Sequence, residues 1–208
     1  MRKRWFFIAS DIFPACLYNF LKFANDSSIE KTILDCGAGG QFPKLALFYY
    51  YGYQTYGIEI SEERIEMADE FCQNKNIKLN IKKGDMRNIE FDSNSFGFTY
   101  TYNTIFHLTK EETKIAFDEM FRVLKKNGLL FVNLLSVEDS FYGDGEEVRP
   151  GEFVKKYDDE EVLHCFYKDN EADVFFKNYK IIYKEKRRVF INEGSYLAGM
   201  LDYIIKKQ

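Results

Sequence analysis

The chain has 208 residues, with 29 Lys and Arg against 33 Asp and Glu, a formal net charge of −4. At 46% hydrophobic and 30% charged, with three prolines, the composition fits one folded globular domain and argues against long disordered tracts. No window approaches the ~18 uncharged apolar residues that a membrane helix needs, and an acidic chain lacks the charge footprint of a nucleic-acid binder, so small molecules are the expected partners.

In chain order, the basic and apolar opening of residues 1–10 imitates a secretory signal, but Asp11 interrupts it and no clean small-x-small site follows. Residues 12–24 have helical spacing, with Pro14 in the first turn, where its missing N–H does no harm. Residues 32–35 form a short apolar strand that runs into Cys36-Gly-Ala-Gly-Gly40. A helix over 42–51 closes at Gly52, and 54–60 reads as a second strand. Ser61 caps a helix with Ile65, Ala68, Phe71 and Cys72 on one face, and Glu62 and Glu63 suit its dipole.

A third strand is expected at 78–82 and a fourth at 96–102. Thr109-Lys-Glu-Glu112 is a capping box that opens a helix with Phe117, Met120, Phe121 and Leu124 inward, ended by Gly128. Residues 129–135 form a buried fifth strand. The stretch 136–151 reads as a loop, 160–167 as a strand, and Asp169 or Asn170 caps a short helix through Phe176. Strands at 179–190 and 196–206, separated by Asn192-Glu-Gly-Ser195, make a hairpin. The succession of βα units predicts an α/β fold with a doubly wound, mostly parallel sheet and an antiparallel C-terminal hairpin.

The main chemical signal is Ile33-Leu-Asp-Cys-Gly-Ala-Gly-Gly-Gln41, a strand leading through a glycine turn into a helix. Glycines let backbone approach a ligand, and a following helix offers free N–H groups. Glu59, 22 residues past Gly37, ends the second strand, where a carboxylate accepts both ribose hydroxyls. A dinucleotide site wants a third glycine where this chain has Phe42. Asp35 at the strand end suits a cationic sulfonium better than a pyrophosphate, and Asp85 after the third strand could accept from an adenine amine. These details favour S-adenosylmethionine over NAD.

With Gly57-Ile-Glu-Ile-Ser61, Gly84-Asp-Met-Arg87, residues 96–107 and 119–128 following in order, the chain resembles the class I SAM-dependent methyltransferases, specifically the small-molecule group similar to the ubiquinone-biosynthesis type. The resemblance spans about residues 32–135 and implies a Rossmann-like, seven-stranded sheet in the order 3-2-1-4-5-7-6. By that resemblance Gly37 and Gly39 would cradle the methionine part, with Asp35 supporting the loop. Glu59 would hold the ribose, Ile60 would pack on the adenine, and Asp85 and Met86 would read its edge. Thr101 and Tyr102 would offer backbone near the cofactor's amino group, and Phe106 and His107 would face the transferred methyl. Cys36, Ala38, Ser61, Arg64, Gly84 and Arg87 complete the expected cofactor shell. Gln41, in place of a frequent glycine, and Lys126-Asn127, in place of a frequent Pro-Gly, depart from the family pattern.

Methyl transfer gains most from positioning and water exclusion, and a base matters only when the acceptor must lose a proton. His107 is the candidate base, since imidazole titrates near neutrality; the other reading is that it shapes the pocket. Tyr18, Asn103 and His164 are candidate acceptor contacts, in a pocket expected to be lined also by Trp5, Phe13 and the loop from Ser136. The expected organisation is one domain over 1–208, with an N-terminal helical cap (1–30) and a substrate-side insertion (136–178). The reaction would leave S-adenosylhomocysteine, with no metal, no nucleic acid and no membrane involved, on a monomer or homodimer.

Tyr49-Tyr-Tyr51, Tyr53 and Tyr56 read as packing residues rather than a base-stacking platform. Lys184-Glu-Lys-Arg-Arg188 reads as a solvated strand face that protects an edge. The acidic stretch 138–147 reads as a mobile substrate loop before a metal site. Cys16, Cys36, Cys72 and Cys165 form no CxxC pair, so reduced thiols and a cytoplasmic location are expected. The rivals are a non-catalytic SAM-binding protein and an NAD-dependent oxidoreductase.

Overall fold

The computed structural model describes residues 13–157, 160–191 and 196–208, so Trp5 and the turn at 192–195 lie outside the described residues. The helix α1 (Ala15–Asn25) precedes β1 (Thr32–Cys36), α2 (Leu45–Tyr50), β2 (Gln54–Glu59), α3 (Glu62–Lys75), β3 (Ile81–Lys83), β4 (Phe96–Thr101), α4 (Lys110–Val123) and β5 (Leu124–Ser136). After these come β6 (Glu146–Arg149), β7 (Glu152–Tyr157), β8 (Glu160–Tyr167), β9 (Lys180–Ile191) and β10 (Tyr196–Lys206).

Parallel pairing joins β3, β2, β1, β4 and β5, with Ile33 beside Thr55 and Tyr100 beside Phe131. β10 runs antiparallel to β5, and β9 antiparallel to β10, giving the expected seven-strand order with its C-terminal hairpin. Alternation along β5 sends successive side chains to opposite faces. Leu129 and Phe131 meet Leu17, Phe20 and Phe48 from α1 and α2, and the Phe20 and Phe131 rings stack at 5.5 Å. Leu130, Val132 and Leu134 meet Phe117, Met120 and Phe121 of α4. Helices therefore cover both faces, as a doubly wound sheet requires.

Several boundaries differ from the sequence reading. Helix α2 starts at Leu45, not at 42, because Pro43 disfavours helical backbone at Phe42. Strand β3 covers Ile81–Lys83, not 78–82, since Asn80 adopts φ 55 and its side chain donates to Thr55 O at 2.8 Å. Pro14 is the N-cap residue of α1 rather than part of its first turn. Helix α4 ends at Val123, well before Gly128; Leu124 already pairs with Phe96, and Asn127 (φ 65) bulges out of the ladder. The short helix through Phe176 is a 3-10 turn, preceded by left-handed Asn170 without a side-chain cap.

The larger departure is 136–151, which is not all loop. Strands β6, β7 and β8 form an antiparallel unit, and β8 pairs in parallel with Leu135 and Ser136 of β5. β5 runs beyond the end of β4, so the edge that β4 vacates is taken up by β8. The acidic stretch is anchored as well: Asp139 is buried and accepts from Gly199 N and Phe141 N, both at 2.9 Å.

Candidate active site

At the carboxyl end of β1 the chain turns sharply at Gly37 (φ 107), and the Gly37 and Ala38 N–H groups both donate to Ile58 O, at 2.9 and 3.0 Å. A Cβ on Gly37 would stand 2.4 Å from Thr104 Oγ1, and one on Gly39 would stand 2.6 Å from Glu59 Cγ. Only glycine permits these approaches. Glu59 closes the turn, its Oε2 accepting from Gly39 N at 3.0 Å and its Oε1 from Ser61 N at 3.1 Å. Arg64 Nε lies 3.6 Å from the same carboxylate. The Ser61 hydroxyl accepts from Arg64 N at 3.3 Å and caps α3.

Two hollows flank this turn and share Gly37. One holds Asp35, Gly39, Phe42, Lys44, Tyr102 and Asn103. The other holds Glu59, Ile60, Gly84, Asp85, Met86 and His107. In the first, Asp35 is buried and its Oδ2 accepts from the Tyr100 hydroxyl at 2.6 Å, while Oδ1 has no hydrogen-bond partner among the described residues. Burial pushes its carboxyl up to about 7, against the pull of the Tyr100 hydrogen bond. In the second hollow, Arg87 donates to Asp85 through its backbone N–H and guanidinium, holding that carboxyl below the usual range. The same guanidinium also pairs with Glu112 of the α4 capping box.

The structure brings most of the sequence-derived candidates to these two hollows. Ile60 stands 60% exposed beside the second, and Gly84 N donates to Glu59 O at 3.0 Å. Cys36, Ala38 and Thr101 are fully buried, so each presents backbone rather than side chain. Phe106 packs with Leu135, Phe153, Phe166 and Met200. His107 Nδ1 lies 2.9 Å from Leu163 O; a carbonyl can only accept, so Nδ1–H donates, and in the neutral ring the lone pair then lies on Nε2. The His164 ring lies 5.0 Å from that of His107 and near-parallel to Phe106 and Phe141; burial, then the neighbouring His107, lowers its pKa. Tyr18 lies on α1, 42% exposed and edge-on to buried Phe13, and neither lines the two hollows.

The sequence reading missed Asn133, Asp202, Arg187 and Glu152. Asn133 and Asp202 are fully buried, and the available signal was a single polar residue inside an apolar strand run. Arg187 belongs to the stretch read as a solvated face, yet it pairs with Asp202 at 2.9 Å. Among the described residues no cluster of His, Cys, Asp and Glu is placed to hold a metal ion, and no helix is long and apolar enough to cross a membrane.

Comparison with known proteins bears on this cleft directly. Residues 34–132 match the family model described as a methyltransferase domain. Phosphoethanolamine N-methyltransferase of Plasmodium falciparum is 30% identical over 100 residues, 48% of this chain and 37% of that protein. A sterol 24-C-methyltransferase of Aspergillus fumigatus is 28% identical over 119 residues, 56% of this chain and 31% of that protein. The chain thus spans about a third of the length of these curated relatives. The structure of a SAM-dependent methyltransferase from Methanosarcina mazei superposes with a TM-score of 0.77 at 19% identity, covering 95% of this chain and 98% of that one. Residues 34–132, just under half of the chain, thus match a methyltransferase domain, and the superposition shows that the chain shares the Rossmann-like fold of that structure. The residues present fit S-adenosylmethionine: one oxygen of the buried Asp35 carboxylate has no hydrogen-bond partner among the described residues, and the turn at Gly37 and Gly39 packs too closely against Thr104 and Glu59 to admit a side chain.

Proposed function

We propose that the protein transfers the methyl group of S-adenosylmethionine to a small-molecule acceptor and releases S-adenosylhomocysteine. The observation that carries the reading is the unpaired Oδ1 of Asp35, on a hollow that shares Gly37 with the hollow of Glu59 and Asp85. The relatives named above act, by their names, on phosphoethanolamine and a sterol, which supports a small acceptor. Bound in the cleft, the cofactor supplies an electrophilic methyl group on a cationic sulfonium. Asp35 balances positive charge at the methionine end, and the turn at Gly37 and Gly39 lets backbone close around it. Glu59 has lone pairs beyond those taken by Gly39 and Ser61 and accepts the ribose hydroxyls. Ile60 would pack on the adenine, and Asp85 and Met86 would read its edge. Backbone at Thr101 and Tyr102 lies toward the amino group.

The chain's contribution to rate is orientation and exclusion of water. Where the acceptor must shed a proton, His107 Nε2 takes it, its tautomer fixed by the Leu163 carbonyl. We assign the whole chain to one catalytic domain, with residues 1–30 as a cap and 136–178 as the acceptor-side insertion. Four cysteines placed as free thiols, three of them buried, support a cytoplasmic location. Calorimetric titration tests the function: the protein binds S-adenosylmethionine but not NAD, and Glu59→Ala weakens that binding at least tenfold. A well-folded wild-type protein that ignores S-adenosylmethionine overturns the reading.

A further inference from the structure

A row of polar groups crosses the face that α1 covers, one register step beyond the apolar layer of Phe131 and Ile204. Tyr102 follows β4, Asn133 sits on β5, and Asp202 lies directly opposite Asn133 on β10. Arg187 of β9 completes the row, with Cys16 of α1 at 3.9 Å from its Nη2. Asn133 and Asp202 are fully buried, and each holds a group nearer the surface. The Asn133 amide accepts from Asn103 N at 2.9 Å and donates to the Asn103 side chain, fixing a residue at φ 52. Asp202 accepts from Arg187 Nε at 2.9 Å and from Nη2 at 3.4 Å. Among the described residues Arg187 Nη1 has no acceptor.

A buried ion pair is commonly no more stable than apolar side chains of the same size, so this row is not explained by stability. It lies at the carboxyl ends of β4 and β5, where open α/β sheets bind ligands, and Tyr102 and Asn103 also line the Asp35 hollow. The Asp202 oxygens are buried and engaged by Arg187, so the charge this row presents to a ligand is positive. The reachable groups are a guanidinium edge, a phenol and an amide, a donor set suited to anionic oxygens.

We propose that this row is the recognition wall for the methyl acceptor, and that Arg187 binds a carboxylate or phosphate oxygen of it. The proposal rests on the methyl-transfer reading above. Asp202 and Asn133 are positioning residues that hold Arg187 and Asn103.

The test uses the full chain saturated with S-adenosylhomocysteine and titrated, with backbone amide NMR shifts as readout, with inorganic phosphate and separately with benzoate. Removing Arg187 alone strands a buried carboxylate, so the informative variant is Arg187→Gln with Asp202→Asn, a neutral hydrogen-bonded pair. Wild type is expected to bind one of the two anions saturably, with shifts at Tyr102 and Asn103, and the anion that binds identifies the acceptor group. The double variant is expected to lose that affinity at least tenfold while keeping S-adenosylhomocysteine affinity within twofold. Arg187→Lys, which keeps charge without the planar fork, is expected to lose most of the anion affinity too. Equal anion binding in wild type and double variant, or none in wild type, overturns the acceptor wall and leaves the cofactor reading intact. Failure of wild type to bind S-adenosylhomocysteine overturns both.

Discussion

Burial raises the Asp35 carboxyl to about 7, against an ordinary value of 3.8, so near neutral pH the floor of the glycine hollow carries a proton part of the time. Between those values the folded chain binds more protons than the unfolded one, and this residue's contribution to stability therefore falls as pH rises from about 4 to 7. A cation beside Oδ1 favours the carboxylate and draws the pKa back down. Binding of S-adenosylhomocysteine, whose ammonium supplies that cation, should release protons and should tighten as pH rises from 6 toward 8 through that value of about 7. Calorimetry in two buffers of different ionisation heat checks the release, and pH-independent affinity would contradict the assignment. His107→Asn keeps a donor toward Leu163 O but removes the lone pair at Nε2. Turnover is expected to fall by about 10²–10⁴ if the acceptor needs deprotonation, with S-adenosylhomocysteine affinity unchanged; unchanged turnover restricts His107 to shaping the pocket.

At the level of elements, the N-terminus of α4 joins the insertion to the core. The Thr109 capping box satisfies two helix-end donors, and the third, Lys110 N, donates at 2.7 Å to Glu152 of β7, a carboxylate 1% exposed. Glu152→Ala leaves that partly buried N–H without its acceptor and removes charge favoured at a helix start. The expected cost is about 1–3 kcal/mol in urea unfolding, with faster amide exchange in β6 and β7 than in β1 or β4; uniform exchange would show the junction to be incidental. The capping box itself was legible in the sequence because its partners are three residues apart. Glu152 was not, because its partner is 42 positions away and nothing local marks a carboxylate as buried. The same applies to β6: residues 146–149 are exposed throughout and carry no apolar alternation, so only pairing with β7 makes them a strand.

For the molecule as a whole, the succession of strands and helices followed from apolar runs and glycine turns, since these depend on neighbours close in sequence, whereas the order of the strands in the sheet came from the resemblance. The glycine turn and Glu59 were legible for the same reason: their chemistry needs the ends of consecutive strands. The row of Tyr102, Asn133, Asp202 and Arg187 was hidden because it gathers one residue from each of three strands and one from the end of a fourth. A lone Asn or Asp in an apolar run becomes meaningful only when the register sets Asn133 against Asp202.

That register also has a history in time. β10 lies between β5 and β9, and among the described residues β9 pairs with no other strand. On the ribosome β9 emerges first, and it must wait for residues 196–206 before it has a partner. During that interval its ladder groups are open to any strand nearby, the situation in which nascent chains aggregate. The run Lys184-Glu-Lys-Arg-Arg188 is a barrier suited to that wait: a charged strand is a poor template for a foreign one. Once β10 slides in, Asp202 claims Arg187, and a charge that guarded the growing chain is held against a buried carboxylate of the finished protein.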